Sequence, residues 1–280
     1  MRIDLHTHSV ASDGTEPPAG VVAAAASAGL DVVALTDHDT TAGWVEAEAA
    51  ARRLGIGLVR GAELSCRAEG GSVHLLAYLH DPDDEGLRAE AVRIRASRAG
   101  RAQEMVRRLA ADFPITWDDV LAQTGPDATV GRPHIADALV VRGVVPNRSA
   151  AFTSILTNDS PYYVQHYATG LVDAVRLVLA AGGVPVMAHP GAATRGRILS
   201  DAAIREAADA GIAGLEVHHR DHTPAEVERL TALAAELGLL VTGSSDYHGR
   251  GKPNVLGENT THPDVLQAIV DRGRIPLVRP

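Results

Sequence analysis

The segment Ile3-Asp4-Leu5-His6-Thr7-His8 carries the first residues able to do chemistry. In extended chain, side chains two apart share a face, so His6 and His8 point the same way and Thr7 points away. Asp13 follows shortly after. Two imidazoles near a carboxylate suit a metal ion, although His-x-His alone is less specific than a paired Cys-x-x-Cys site. The same device recurs along the chain. The apolar run 31–36 leads into Asp37-His38-Asp39, 57–62 into Glu63, 183–188 into His189, and 239–243 into Ser244-Ser245-Asp246-Tyr247-His248.

Each of these runs must be held by an element. Alanine-rich or amphipathic stretches lie between them and read as helices. Gly29, Gly55 and Gly238 close three of these, and Thr15 and Thr223-Pro224 stand where caps are wanted. Residues 72–80 read as a further strand, with His74, Leu76, Tyr78 and His80 on one face. Repeated strand-helix units imply a parallel sheet or barrel. In a barrel, functional side chains gather at the C-terminal ends of the strands. That is where His6, His8, His38, Glu63, His189, Asp246 and His248 fall; His74 sits mid-strand and has to face inward. Between about 83 and 167 the alternation stops, and arginine-rich helical segments take over. The expected organisation is therefore a barrel from 1–82 and 168–280 with a mostly helical insertion or lid at 83–167.

Composition sets outer bounds. The chain has 280 residues, 45% hydrophobic and 22% charged, ordinary for a globular enzyme. No apolar run reaches the length of a membrane span, and no secretory signal is recognisable, so no membrane partner is expected and the cytoplasm is the default location. Cys66 is the single cysteine, which excludes an internal disulfide. A net charge of −9 argues against binding long nucleic acid, though not against a small phosphorylated ligand. Lys252 is the sole lysine, so the body of the chain offers no lysine for a phosphate loop, a Schiff base or a carboxylated metal bridge.

Together these motifs resemble the polymerase and histidinol phosphatase (PHP) family of metal-dependent phosphoesterases. The matching stretches are His6-Thr7-His8, Thr36-Asp37-His38-Asp39, Gly61-Ala62-Glu63, His74, Ala188-His189-Pro190 and Ser245-Asp246-Tyr247-His248, in family order. The resemblance implies a distorted seven-stranded (β/α) barrel with two or three divalent ions. Carried over residue by residue, one ion takes His6, His8, Glu63 and Asp246. A second takes Asp13, His38 and His248. A third shares Glu63 and takes His74 and His189. Many relatives have histidine where this chain has Asp13, and a carboxylate there shifts the expected metal toward manganese or iron rather than zinc. Length and insertion resemble the branch acting on nucleoside 3′,5′-bisphosphates and, in some members, on the 5′ ends of short RNA. Gly131-Arg132-Pro133-His134 resembles that branch's phosphate-contacting motif.

The chemistry so implied is attack by a metal-bridging hydroxide on phosphorus, with Glu63 spanning two ions. Arg132 and Arg197, with His134, are candidates for the non-transferred oxygens, because a guanidinium pairs with phosphate through two parallel bonds. The proton donor to the leaving group is open between Asp37 and His189, and Asp37 is also placed to orient a ligand histidine. One of His218 and His219 must face outward; His218 is the candidate for lining the substrate and His222 for the surface. Cys66 reads as a buried small hydrophobe, and Tyr162, Tyr163 and Tyr167 as packing residues. Competing readings are a histidinol-phosphate phosphatase, an amidohydrolase cleaving C–N bonds, and a non-catalytic module. Oligomeric state is not readable.

Overall fold

The computed structural model describes residues 1–125, 128–193 and 198–279. Seven strands form one continuous sheet: β1 (Ile3–Asp4), β2 (Val32–Leu35), β3 (Gly57–Ala68), β4 (Gly71–Tyr78), β6 (Val184–Ala188), β7 (Gly214–His218) and β8 (Leu240–Gly243), in that spatial order. A two-residue strand, β5 (Thr169–Gly170), joins the far end of β3. Beyond β1 and β8 the chain pairs again at Thr7 and Tyr247, where the His8 amide donates to the Tyr247 carbonyl at 2.8 Å. The sheet is thereby nearly closed into a barrel at the rim where the histidines lie.

The helices that return the chain between parallel strands are α1 (Pro18–Ser27), α2 (Trp44–Leu54), α7 (Leu171–Ala180), α8 (Asp201–Asp209) and α9 (Pro224–Leu237). Their stops and starts have local causes. Gly55 and Gly238 take left-handed φ of 68° and 66° to close α2 and α9, and the Thr223 side chain accepts the Glu226 amide to open α9. Thr15 does not cap α1, which starts after Pro17; its hydroxyl bonds the His248 carbonyl instead. A last helix, α10 (Pro263–Arg272), covers the bottom of the sheet together with Leu79 and Val184.

The sheet departs from a uniform parallel barrel at one place. β3 and β4 form an antiparallel hairpin turned at Glu69 and Gly70, both with positive φ, and β4 also runs antiparallel to β6. Two sequence expectations change as a result. Glu63 lies in the middle of a twelve-residue strand, not at its end. Because β4 is reversed, its first half reaches the same rim as the C-terminal ends of the parallel strands, and this is how mid-strand His74, opposite Ser65 and Ala188, joins the site. Alternation then sorts β3: Ala62, Leu64 and Cys66 enter the core shared with α7 and α9, while Glu63 and Ser65 face the mouth.

Among the described residues, four helices lie between β4 and β5: α3 (Glu85–Leu109), α4 (Trp117–Leu121), α5 (Arg132–Val141) and α6 (Arg148–Ser154). They pack around their own apolar cluster, which includes Met105, Leu109, Ile135, Leu139 and Leu156. Polar bonds tie this layer to the rim. Arg98 Nη1 donates to Asp39 Oδ2 at 3.0 Å and Ser65 Oγ at 2.7 Å, Thr129 Oγ1 donates to the His38 carbonyl, and Arg148 Nη1 donates to the Asp13 carbonyl. None of the described helices is long and apolar enough to cross a membrane.

Candidate metal centre

The rim brings the chemistry-bearing residues of both chain halves together. His6 and His8 follow β1, Asp37 and His38 follow β2, His189 follows β6, and Asp246 and His248 follow β8. Asp39, His189 and Asp246 hold positive φ of 54°, 32° and 53° without being glycine. Such backbone is uncommon and concentrates where a site over-determines it.

Among the described residues, three groups of side chains could each hold an ion. In the first, the Nε2 atoms of His6 and His8 are 3.0 Å apart, and both face Glu63 Oε2 (3.2 and 3.1 Å) and Asp246 Oδ1 (3.4 and 3.3 Å). In the second, Asp13 Oδ1 lies 3.1 Å from His248 Nε2 and Asp13 Oδ2 lies 3.8 Å from His38 Nε2, with His8 Nδ1 at 3.7 Å from Asp13. In the third, Glu63 Oε2 meets His38 Nδ1 at 3.2 Å, and its Oε1 meets His74 Nδ1 at 2.9 Å. His189 Nε2 reaches the same Oε1 at 3.1 Å. Glu63 belongs to two groups, and so do His8 and His38.

The donors fit a divalent cation. Buried ring nitrogens of His38, His74 and His248 form no hydrogen bond yet converge on carboxylates, an arrangement that disfavours itself unless positive charge lies among them. Burial alone lowers the pKa of His8, but Asp246 and Glu63 push it up to about 9, so this spot favours a cation. Against the upward pull of burial, His248 and then His38 hold Asp13 well below the usual carboxylate range, and His38, His74 and His6 do the same for Glu63. Nitrogen and oxygen donors without sulfur suit manganese, iron or zinc.

Behind these residues lie others that fix them, and sequence reasoning missed several. Glu216 is fully buried in β7 and accepts from His6 Nδ1 at 3.0 Å, from the His189 amide at 2.7 Å and from Ser244 Oγ. That leaves His6 Nε2 as the coordinating atom. Its signal was legible: a charged residue between Leu215 and Val217 in an apolar strand. Lys252 Nζ is 3.0 Å from Asp246 Oδ2. Asp37 does not touch a ligand histidine. It accepts from the Ser9 amide, Ser9 Oγ and Ser12 Oγ, and Ser12 Oγ stands 3.4 Å from His8 Nδ1.

The histidines after β7 fall differently from expectation. Strict alternation from inward Glu216 would turn His218 inward, but the register shifts between Glu216 and His218. His218 is exposed, and His219 is buried with Nε2 3.7 Å from Asp246 Oδ2. His222 is not a surface residue either: its Nδ1 donates to the Val217 carbonyl and its Nε2 accepts the Gly191 amide. Arg132 opens α5, donating to the Leu156 carbonyl and Asn158 Oδ1. His134 is buried and accepts the Gly131 amide on Nδ1. Arg197 lies outside the described residues. Cys66 is fully buried, and burial pushes its thiol well up, out of reactive range.

Comparison with known proteins agrees with this geometry. The PHP domain family model matches residues 4–111. A 3′,5′-nucleoside bisphosphate phosphatase of Chromobacterium violaceum is 35% identical over 268 residues, 95% of this chain and 93% of that protein. A 5′-3′ exoribonuclease of Haemophilus influenzae is 37% identical over 68% of this chain and 69% of its own. A solved structure from Bifidobacterium adolescentis, named for a proposed metal-dependent phosphoesterase activity, superposes with a TM-score of 0.95 at 47% identity, covering 97% of this chain and 96% of that one. The chain belongs to the PHP family and is a metal-dependent hydrolase of phosphate esters.

Proposed function

We propose that this enzyme removes a phosphate from small nucleotides, with nucleoside 3′,5′-bisphosphates as its main substrates and short RNA 5′ ends as further ones. The carrying observation is the overlap of three His/carboxylate groups through Glu63, His8 and His38, a rim built to concentrate positive charge over a phosphoryl group. The name and near-complete coverage of the Chromobacterium relative support the substrate class. We assign His6, His8, Asp13, His38, Glu63, His74, His189, Asp246 and His248 to two or three divalent ions, manganese or iron before zinc. Bound ions would acidify a water and neutralise the phosphoryl oxygens. The chain's own residues do the rest. Glu216 fixes the tautomer of His6, Asp37 fixes the loop bearing His8 and Asp13 through Ser9 and Ser12, and Lys252 holds Asp246. Helices 83–167 act as a lid over the mouth, and a cytoplasmic setting matches substrates of this kind.

The test is phosphate release with manganese, with and without chelator, from adenosine 3′,5′-bisphosphate, adenosine monophosphate, a short RNA and histidinol phosphate. Chelator-sensitive release preferring the bisphosphate is expected. Release from histidinol phosphate alone would overturn the substrate, and silence on all four would redirect attention to C–N bonds.

A further inference from the structure

The turn after β7 buries a histidine that belongs to none of the three His/carboxylate groups. The register shift between Glu216 and His218 turns His219 inward, and its side chain is fully buried. The Asp221 amide donates to its Nδ1 at 3.1 Å. A neutral ring that accepts on Nδ1 carries its proton on Nε2. That Nε2 is buried and has no hydrogen-bond partner among the described residues. A buried donor without an acceptor costs free energy, so what it points toward is informative. Nε2 lies 3.7 Å from Asp246 Oδ2, about 0.5 Å beyond the reach of a hydrogen bond. Neighbouring rings brace it there. His219 packs against His189 and His222 at centroid separations of 5.4 and 5.5 Å. Both nitrogens of His222 are in turn engaged, by the Val217 carbonyl and the Gly191 amide.

The two oxygens of Asp246 have different surroundings. Oδ1 faces Nε2 of His6 and of His8 at 3.4 and 3.3 Å, whereas Oδ2 lies 3.0 Å from Lys252 Nζ. We propose that His219 is a positioning residue whose Nε2–H donates to Asp246 Oδ2 beside Lys252. Two donors on the outer oxygen leave Oδ1 as the one offered to an ion between His6 and His8. A shift of about 0.5 Å in ring or carboxylate makes the bond. A neutral imidazole suits the task because it adds a directed donor without a second positive charge beside Lys252. The proposal rests on the assignment of Asp246 as a ligand, made above.

The experiment titrates manganese calorimetrically into the chelator-treated full chain as wild type, His219→Asn, His219→Gln and Asp246→Ala, with circular dichroism to show folding. Asparagine keeps an acceptor near the position of Nδ1 but has nothing at Nε2; glutamine carries an NH2 to the Nε2 position. His219→Asn is expected to weaken manganese binding ~10-fold or more, and His219→Gln to stay within about threefold of wild type. An affinity within about twofold of wild type in folded His219→Asn overturns the role. So does an equal loss in the two variants, which would mark a need for shape rather than for a donor. Wild-type affinity in Asp246→Ala removes the ligand assignment and the positioning role together, whereas a loss there with none in His219→Asn removes the role of His219 alone. Should His219→Asn fail to fold, the wild type decides by nuclear magnetic resonance of its histidine rings, with diamagnetic zinc in place of manganese. An Nε2–H tautomer whose proton moves downfield on zinc binding is expected for His219. An Nδ1–H tautomer, or an Nε2 proton that zinc does not move, overturns the proposal.

Discussion

Replacing Glu216 by glutamine probes how the centre is held without touching a proposed ligand. The carboxylate is fully buried and surrounded by three donors: His6 Nδ1 at 3.0 Å, the His189 amide at 2.7 Å and Ser244 Oγ. A carboxylate accepts on both oxygens, whereas an amide must present one NH2. If that NH2 faces His189, two N–H groups oppose each other and the His189 backbone loses its anchor. If it faces His6, Ser244 can rotate to accept, but Nδ1 of His6 must become the acceptor. The ring proton then moves to Nε2, the atom that faces Glu63 and Asp246. Either outcome weakens the first group. Losing an outer partner of a ligand histidine weakens metal binding by about 10- to 100-fold, or ~1.4 to ~2.7 kcal/mol. The assay is calorimetric titration of manganese into chelator-treated Glu216→Gln and wild type, with circular dichroism to show that both are folded. Affinities within about twofold of each other in folded proteins would refute this account of Glu216 and, with it, the Nε2 assignment for His6.

Other outcomes follow from the same geometry. Glu63→Ala or His8→Ala is expected to abolish phosphate release and lower metal content; wild-type-like turnover in either variant would remove the metal assignment. Bound metal should raise stability by about 2.7 kcal/mol at a free concentration 100-fold above its dissociation constant, read as a melting temperature lowered by roughly 5 °C in chelator; an unchanged midpoint contradicts a preformed centre. His80, packed under Trp44 with Nδ1 donating to the Ala77 carbonyl, is driven by burial from 6.5 down to about 4. A depressed histidine stabilises the fold above its unfolded pKa, and that stability is lost as pH falls through its folded pKa, here roughly 3 kcal/mol between pH 7.5 and 4. Urea unfolding of wild type and His80→Phe at both pH values checks this, and an equally steep acid loss in the variant would count against it.

Much of the rim was legible because its residues sit at fixed offsets from apolar strands. A strand ending predicts where His38, His189 and Asp246 emerge without any knowledge of packing. What escaped depends on pairing partners far away in the chain. β4 reverses at the local Glu69-Gly70 turn, but its pairing with β6 far along the chain is what carries mid-strand His74 to the rim beside Ala188. His218 and His219 were exchanged because a single irregular residue against β8 reverses the alternation. Arg98 and Arg101 were invisible for a different reason: in a helix with exposed arginines all around, only tertiary contacts distinguish a buried guanidinium from a solvated one.

The junction between Thr7 and Tyr247 also has consequences for the order of assembly. The segment bearing His6 and His8 leaves the ribosome well before its rim partner Tyr247 and the ligands Asp246 and His248, which come roughly 240 residues later. At about 5–20 residues per second, the early histidines wait on the order of 10 to 50 seconds before their site can exist. Contacts of such long separation form slowly even in the complete chain. Metal loading is therefore a late event in the life of each molecule, and a chain released before Tyr247 would carry most of the ligands but no closed rim to hold them in register.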